Sequence, residues 1–393
     1  MKKVFLFSLF LVLGFVLSQC LPVWLGEAFL TAEKVAKTLM FVCLAFIMIN
    51  VGREFELDKT KWRSYAADYF IAMATAAVPW IMVAFYYMFL LPADLFGNWD
   101  AWKENLLLSR FAAPTSAGIL FTMLAAAGLR REWIYKKTQV LAIFDDLDTI
   151  LLMIPLQIFM IGFKWQLFAV VIVITFLLVI GWKKLGTIRL SQTWKSILFY
   201  AVCIVAVTES IYLLTKWMMG ADGAIHIEVL LPAFVLGMVM KTVHQHGNRD
   251  EKITGMISYL FMFLVGLSTP QFIGIDHGHR ITEAVGIIAA QPMPSWEVLV
   301  VHVIVVTLLS NLGKMFPLFF YRDRQLEERL ALSVGMFTRG EVGAGIIVIA
   351  MGYNLGGPAL IISVLSLVLN LLLTGGFVVI VKRLAQQAYG LKE

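Results

Sequence analysis

Residues 134–161 read IYKKTQVLAIFDDLDTILLMIPLQIFMI, an apolar run long enough to cross a bilayer that carries Asp145, Asp146 and Asp148 well inside it. A spanning helix needs about 20 residues. An ionisable side chain at its centre costs about 2.5–3.5 kcal/mol on insertion scales, so such a residue points to function. Adjacent helical residues diverge by about 100°. Asp145 and Asp146 therefore face neighbouring directions and cannot share one proton as a protease-like dyad does, while Asp148 falls near the face of Asp145.

The rest of the chain fits a membrane setting. It has 393 residues, 60% hydrophobic and 15% charged, with a mean hydropathy of +0.83. Soluble domains run nearer 45–50% apolar and about 25% charged, which argues against a cytosolic enzyme. Unbroken apolar stretches such as Phe168–Ile180 exclude a transmembrane barrel, whose strands alternate. Hydropathy predicts twelve spans, at about 4–20, 35–51, 66–91, 104–128, 134–161, 165–182, 196–218, 228–243, 254–275, 296–320, 328–353 and 358–382. The expected fold is all-α, a polytopic membrane protein of about 12 transmembrane helices. Ile281–Ala290 is too short to cross and reads as a loop packed on the surface. Cys20, Cys43 and Cys203 lie in or beside apolar runs without a CxxC, so neither a disulfide framework nor a zinc site is expected.

Charge sets the orientation. With the N-terminus in the cytoplasm, 23 of the 32 lysines and arginines face inward and six outward, as the positive-inside rule requires. Both termini are then cytoplasmic. The net charge of +6 is a topology signal, and no nucleic-acid partner is expected. Lys2-Lys3 and the apolar run to Cys20 resemble a signal peptide, but Gln19 is not the small residue that cleavage prefers. A retained first helix is expected.

Three further spans carry unusual polarity. The tenth holds Asn311-Leu312-Gly313-Lys314, and an ammonium at that depth finds a carboxylate, Asp145 or Asp146, or snorkels to the interface. The fourth holds Ala113-Pro114-Thr115-Ser116-Ala117-Gly118, where proline removes a helix donor and the chain should break. Carbonyls freed there, with the Thr115 and Ser116 hydroxyls, can face a cation. The eleventh holds Thr338-Arg339-Gly340-Glu341-Val342-Gly343-Ala344-Gly345, again the pattern of an interrupted helix, or else of an internal Arg–Glu pair. The fourth and eleventh spans are seven apart, so they run in opposite directions. Two broken helices crossing near the midplane are the sign of inverted repeats. Arg110 and Glu209 lie in spans with no readable partner. His244, His246, His277 and His279 read as loop residues.

Taken in order, APTSAGILFTMLAAAGL, LAIFDDLDTILLMIPL, LLSNLGKMFPLFF and GMFTRGEVGAGI resemble the monovalent cation:proton antiporter superfamily, in its two-aspartate, usually electrogenic branch. LAFIMINVGREFELD near residue 50 and FMFLVGLSTPQF near 268 are weaker echoes. The resemblance implies an antiporter exchanging a monovalent cation for protons, sodium first, with potassium or lithium as alternatives. It implies no enzyme activity and no cofactor. Asp146 would be the main cation and proton carboxylate, and Asp145 would pair with Lys314 when no ion is bound. Thr115 and Ser116 would sit at one break, Arg339 and Glu341 at the other, with Asp148 an accessory acid. The implied division is 1–65 and 196–280 as a dimer scaffold, 66–162 and 281–393 as a mobile core, and 163–195 as a linker, working as an elevator. A homodimer in a bacterial inner membrane is implied with it. Pro114, Asp148 and Thr338 depart from the usual pattern. An intramembrane aspartyl hydrolase, an organic-anion symporter and a passive channel are the competing classes. The first needs acids on different helices, and the second is opposed by two carboxylates that would repel an anion.

Overall fold

The computed structural model describes residues 2–26, 29–54, 62–161, 166–219, 229–240, 248–268, 286–288, 290–353 and 355–390. Every named element among them is helical; the pairing of Ile188 with Met240 is an isolated bridge. The α-helices are α1 (Lys2–Leu25), α2 (Phe29–Glu54), α3 (Trp62–Leu90), α4 (Trp99–Ser109), α5 (Ala117–Ala126), α6 (Trp133–Ile161) and α7 (Gln166–Lys183). They continue as α8 (Trp194–Met219), α9 (Leu230–Val239), α10 (Asn248–Leu267), α11 (Trp296–Gly313), α12 (Leu326–Gly335), α13 (Glu341–Gly352) and α14 (Gly357–Tyr389). Among the described residues each expected span falls largely on helix, and the fourth and eleventh are divided, into α4 with α5 and α12 with α13. Among the described residues six helical stretches are long and apolar enough to cross a bilayer, from Thr31–Arg53 to Gly357–Tyr389. The protein is an all-α polytopic membrane protein.

Local chemistry explains these elements. Asn98 caps α4, its side-chain oxygen accepting from the Asp100 and Ala101 amides, and Gln325 with Glu328 forms a capping box on α12. Hydroxyls inside the spans bond to a preceding carbonyl: Thr75 to Ile71, Ser363 to Ala359, Thr374 to Asn370. They are thereby satisfied without water. Pro79 and Pro155 lie inside α3 and α6. Membrane helices tolerate such prolines because neighbouring groups satisfy the freed backbone.

The chain forms two compact units. The first comprises residues 1–26, 60–160 and 265–393. Its core gathers Val83 and Tyr87 from α3, Leu107 and Leu108 from α4, Leu299 and Val306 from α11, Ile347 from α13, and Ile362 and Leu367 from α14. The Tyr87 hydroxyl lies 2.7 Å from Ser363 Oγ within it. Helix α1 packs on α14 and α5 here. The backbones of Leu11 and Gly266 come together because glycine has no Cβ to hold them apart. Glu104 on α4 accepts the Ile287 and Ile288 amides at 3.1 and 2.9 Å, and Ile288 is buried. The described part of the expected surface loop at 281–290 is thus pinned inward by a carboxylate. Its residues 281–285 and 289 lie outside the described residues, as do the four loop histidines.

The second unit comprises residues 27–59 and 161–264. In it α2 packs on α8 and α9, and α7 on α9. Gly52 and Gly237 face each other at the α2–α9 crossing. A Cβ on Gly237 would lie 2.9 Å from the Gly52 Cα. Small residues are how membrane helices approach this closely. After α7 the chain turns back, its Gly186 and Ile188 amides donating to the Met238 and Val239 carbonyls at the end of α9.

Candidate functional site

The fourth span stops being an α-helix where proline dictates. Helix α4 ends at Ser109, a 3-10 turn covers Arg110–Ala112, and α5 begins at Ala117 with Ser116 as N-cap. The eleventh stops at Gly335 and resumes at Glu341. The two breaks meet directly: the Ser116 amide donates to the Thr338 carbonyl at 2.9 Å, and Thr115 Oγ1 donates to the Met336 carbonyl at 3.1 Å. Each break presents a helix C-terminus and a helix N-terminus, so the half-helix dipoles offset one another. The breaks expected at Pro114 and at the Gly340–Gly345 cluster are therefore in contact through named groups.

Asp145, on α6, faces this crossing. Its Oδ2 accepts the Thr115 amide at 2.7 Å, just ahead of α5, where the positive helix end favours an anion. Lys314, the C-cap of α11, places Nζ 3.0 and 2.9 Å from the two Asp145 oxygens and 3.0 Å from Thr115 Oγ1. Both charged side chains have 0% exposure. Of the two acids the sequence leaves open, the structure brings Lys314 to Asp145. Gly313 lets α11 approach α3 so closely: a Cβ there would sit 2.6 Å from the Pro79 nitrogen.

Asp146 is buried on the neighbouring face of α6, and Ser116 is buried at the break. Asp148 is buried too; its Oδ1 accepts the Tyr69 hydroxyl at 2.7 Å. Arg339 is fully buried and turns back on α12, donating to the Met336 and Phe337 carbonyls at 3.1 and 3.4 Å and to the Ser310 carbonyl at 3.3 Å. A guanidinium on the last carbonyls of a helix satisfies groups the break leaves over. Glu341 opens α13; its side chain lies outside the described residues.

The structure adds residues the sequence did not single out. Tyr69 from α3 donates to Asp148, Trp80 from α3 lies against the Arg110 guanidinium, and Gly313 meets Pro79 of α3; an aromatic or proline in an apolar span gives no distinct signal. Near the starts of α3 and α6, Asp68 holds Lys137 at 2.8 Å and accepts the hydroxyl of Tyr321, which lies beyond its span, at 2.7 Å. Burial, and then the Asp68 charge beside it, push the Tyr321 hydroxyl well above the ordinary phenol range.

A buried carboxylate and ammonium at the meeting point of two interrupted helices are the parts of a secondary ion transporter. A family model described as sodium/hydrogen exchanger, transmembrane, matches residues 2–384, and the chain belongs to that family, within the monovalent cation:proton antiporter superfamily. It is a transporter of cations and protons, not an enzyme. Among curated proteins no sequence matches it.

Proposed function

We propose that the protein exchanges one monovalent cation, sodium first, for protons by making both compete for Asp146 and Asp145, with Lys314 as counter-charge. A dehydrated cation needs anionic oxygen ligands. An exchanger must also keep the same carboxylates from holding cation and proton together. Mutually exclusive occupancy couples the two fluxes without a separate gate. In this reading a cation arriving at Asp146 displaces its proton and breaks the Asp145–Lys314 pair, and Thr115 and Ser116 add oxygens at the break. The observation that carries the reading is the fully buried Lys314–Asp145 pair, 2.9 Å apart, set against the Thr115 amide.

Residues 66–162 and 281–393 are proposed as the mobile core of an elevator, with 163–195 as a linker and 196–280 in the scaffold of a homodimer. The grouping of 60–160 with 265–393 in one compact unit supports the core assignment. Helix α1 packs in that unit, so the scaffold share of 1–65 falls to α2 in this proposal. The excess of lysine and arginine in alternate loops supports cytoplasmic termini, and a bacterial inner membrane is proposed with them. Proton flux in proteoliposomes challenged with sodium, potassium or lithium tests the function. Wild type should move protons on cation addition and Asp146→Asn should not; full exchange by Asp146→Asn would reject the site.

A further inference from the structure

We infer that Arg110 is a fixed positive charge of the transport site that weakens cation binding and speeds cation release. The inference rests on the proposed exchange at Asp145 and Asp146. Arg110 begins the 3-10 turn at the fourth-span break and is completely buried. Its Nη2 donates to the Asp148 main-chain carbonyl at 3.0 Å. Its guanidinium lies over the Trp80 ring, 4.5 Å from the centroid, and the indole is itself fixed by donating to the Leu106 carbonyl at 2.7 Å. Such stacking holds a cation in place without cancelling its charge.

Among the described residues, Lys314, Arg339 and Arg110 are fully buried cations, and they are handled differently. Lys314 is neutralised by direct contact with both Asp145 oxygens. Arg339 is spread over three carbonyls at the break and on α11. Arg110 makes its single hydrogen bond to a neutral carbonyl, and its Nε and Nη1 have no hydrogen-bond partner among the described residues. The Asp148 carbonyl it bonds belongs to α6, two residues past Asp146 and three past Asp145, so the guanidinium is set against the helix that carries the acids. Arginine keeps its proton in proteins, so this charge persists through every step of exchange.

A transporter gains from such a charge. Two carboxylates in a dry site bind a cation tightly, and a tightly held ion leaves slowly. A fixed positive charge nearby raises the energy of the bound ion while leaving its ligands in place. At the effective dielectric of a buried site, a unit charge within about 10 Å changes an ion's binding by roughly tenfold or more. A merely structural guanidinium would act in the opposite direction, because its loss would loosen the ligands.

The test uses proteoliposomes held at alkaline pH, where raising the pH further no longer alters the apparent KM for the cation, so proton competition drops out. Arg110→Gln should lower that KM by about tenfold and reduce the maximal rate. Arg110→Lys keeps the charge and should keep KM within about twofold. A KM that rises or stays unchanged in Arg110→Gln would overturn the inference, as would equal KM values for the two variants. If Arg110→Gln fails to fold, Arg110→Met keeps an apolar stem beside Trp80 and is read the same way: its KM should fall by about tenfold, and a KM that rises or stays unchanged would overturn the inference. Loss of the underlying exchange reading would show separately, as full activity in Asp146→Asn or no cation-driven flux in wild type.

Discussion

Lys314 Nζ lies 2.9 Å from Asp145 Oδ2 with neither side chain exposed, and the same carboxylate oxygen accepts the Thr115 amide. This pair ties α11 to α6 at the point where α5 begins. Removing one partner strands the other charge in a low-dielectric interior, at a cost of about 3–5 kcal/mol. Lys314→Ala should therefore lower the melting temperature of the detergent-solubilised protein markedly. Removing both charges together, as in Lys314→Met with Asp145→Asn, should restore most of that stability without restoring exchange. Thermal unfolding of the single and double variants checks this.

Thr115 serves two masters with one hydroxyl, accepting from Lys314 and donating to the Met336 carbonyl. Thr115→Val keeps the shape and removes both bonds, leaving a buried donor and a buried acceptor each short of a partner. A loss of about 1–3 kcal/mol is expected, together with a raised KM for the transported cation. Thr115→Ser should retain most of both. Equal behaviour of the valine and serine variants in melting and in transport would show that the methyl group, not the hydroxyl, is what the crossing needs.

Tyr321 offers a pH-dependent measurement outside the spans. Its hydroxyl donates to Asp68, and burial and the Asp68 charge raise its proton affinity above that of an unfolded tyrosine. The folded protein keeps this proton while the unfolded chain releases it near pH 10. The contribution is thus fully present below about pH 10 and is lost as the pH climbs beyond it. Tyr321→Phe should melt lower than wild type at pH 7, having lost a hydrogen bond to a carboxylate worth roughly 1.5–3 kcal/mol. The gap should narrow between pH 10 and 11. Melting curves over that range decide it.

The fold was legible wherever the membrane makes polarity expensive. Asp145, Asp146 and Lys314 stood out because each interrupts an apolar run, and the two breaks stood out through Pro114 and the glycines after Arg339. The residues alone left open which acid Lys314 meets, and only the resemblance pointed to Asp145, because helix approach is set by small residues such as Gly313 against Pro79 rather than by the charges. Arg110 could be noticed but not partnered, because its acceptor is a main-chain carbonyl, which every residue possesses. Tyr69 was invisible for a related reason: an aromatic near the end of a span reads as part of the interface belt. Glu104 bonds to two backbone amides of a segment far along the chain, and no residue type marks such a target.

The glycines of the eleventh span separate packing from propensity within six residues. A Cβ on Gly340 would lie 2.8 Å from Ile119 Cδ1 and 2.9 Å from Ser116 Oγ. The isoleucine end can swing aside, but Ser116 Oγ caps α5 by accepting the Ile119 amide. Gly340→Ala should therefore cost the overpacking penalty of about 1–3 kcal/mol plus part of an N-cap worth about 1 kcal/mol. It should also slow exchange, because the displaced group stands at the contact between the two breaks. Gly345, in α13, would carry a Cβ with nothing within 4 Å of it. Gly345→Ala should stabilise by about 0.5–1 kcal/mol through helix propensity alone and leave transport unchanged. Opposite shifts in melting temperature for the two alanines, with a transport defect confined to Gly340→Ala, are the expected result. Equal shifts would mean that the crossing has slack enough to admit a methyl group.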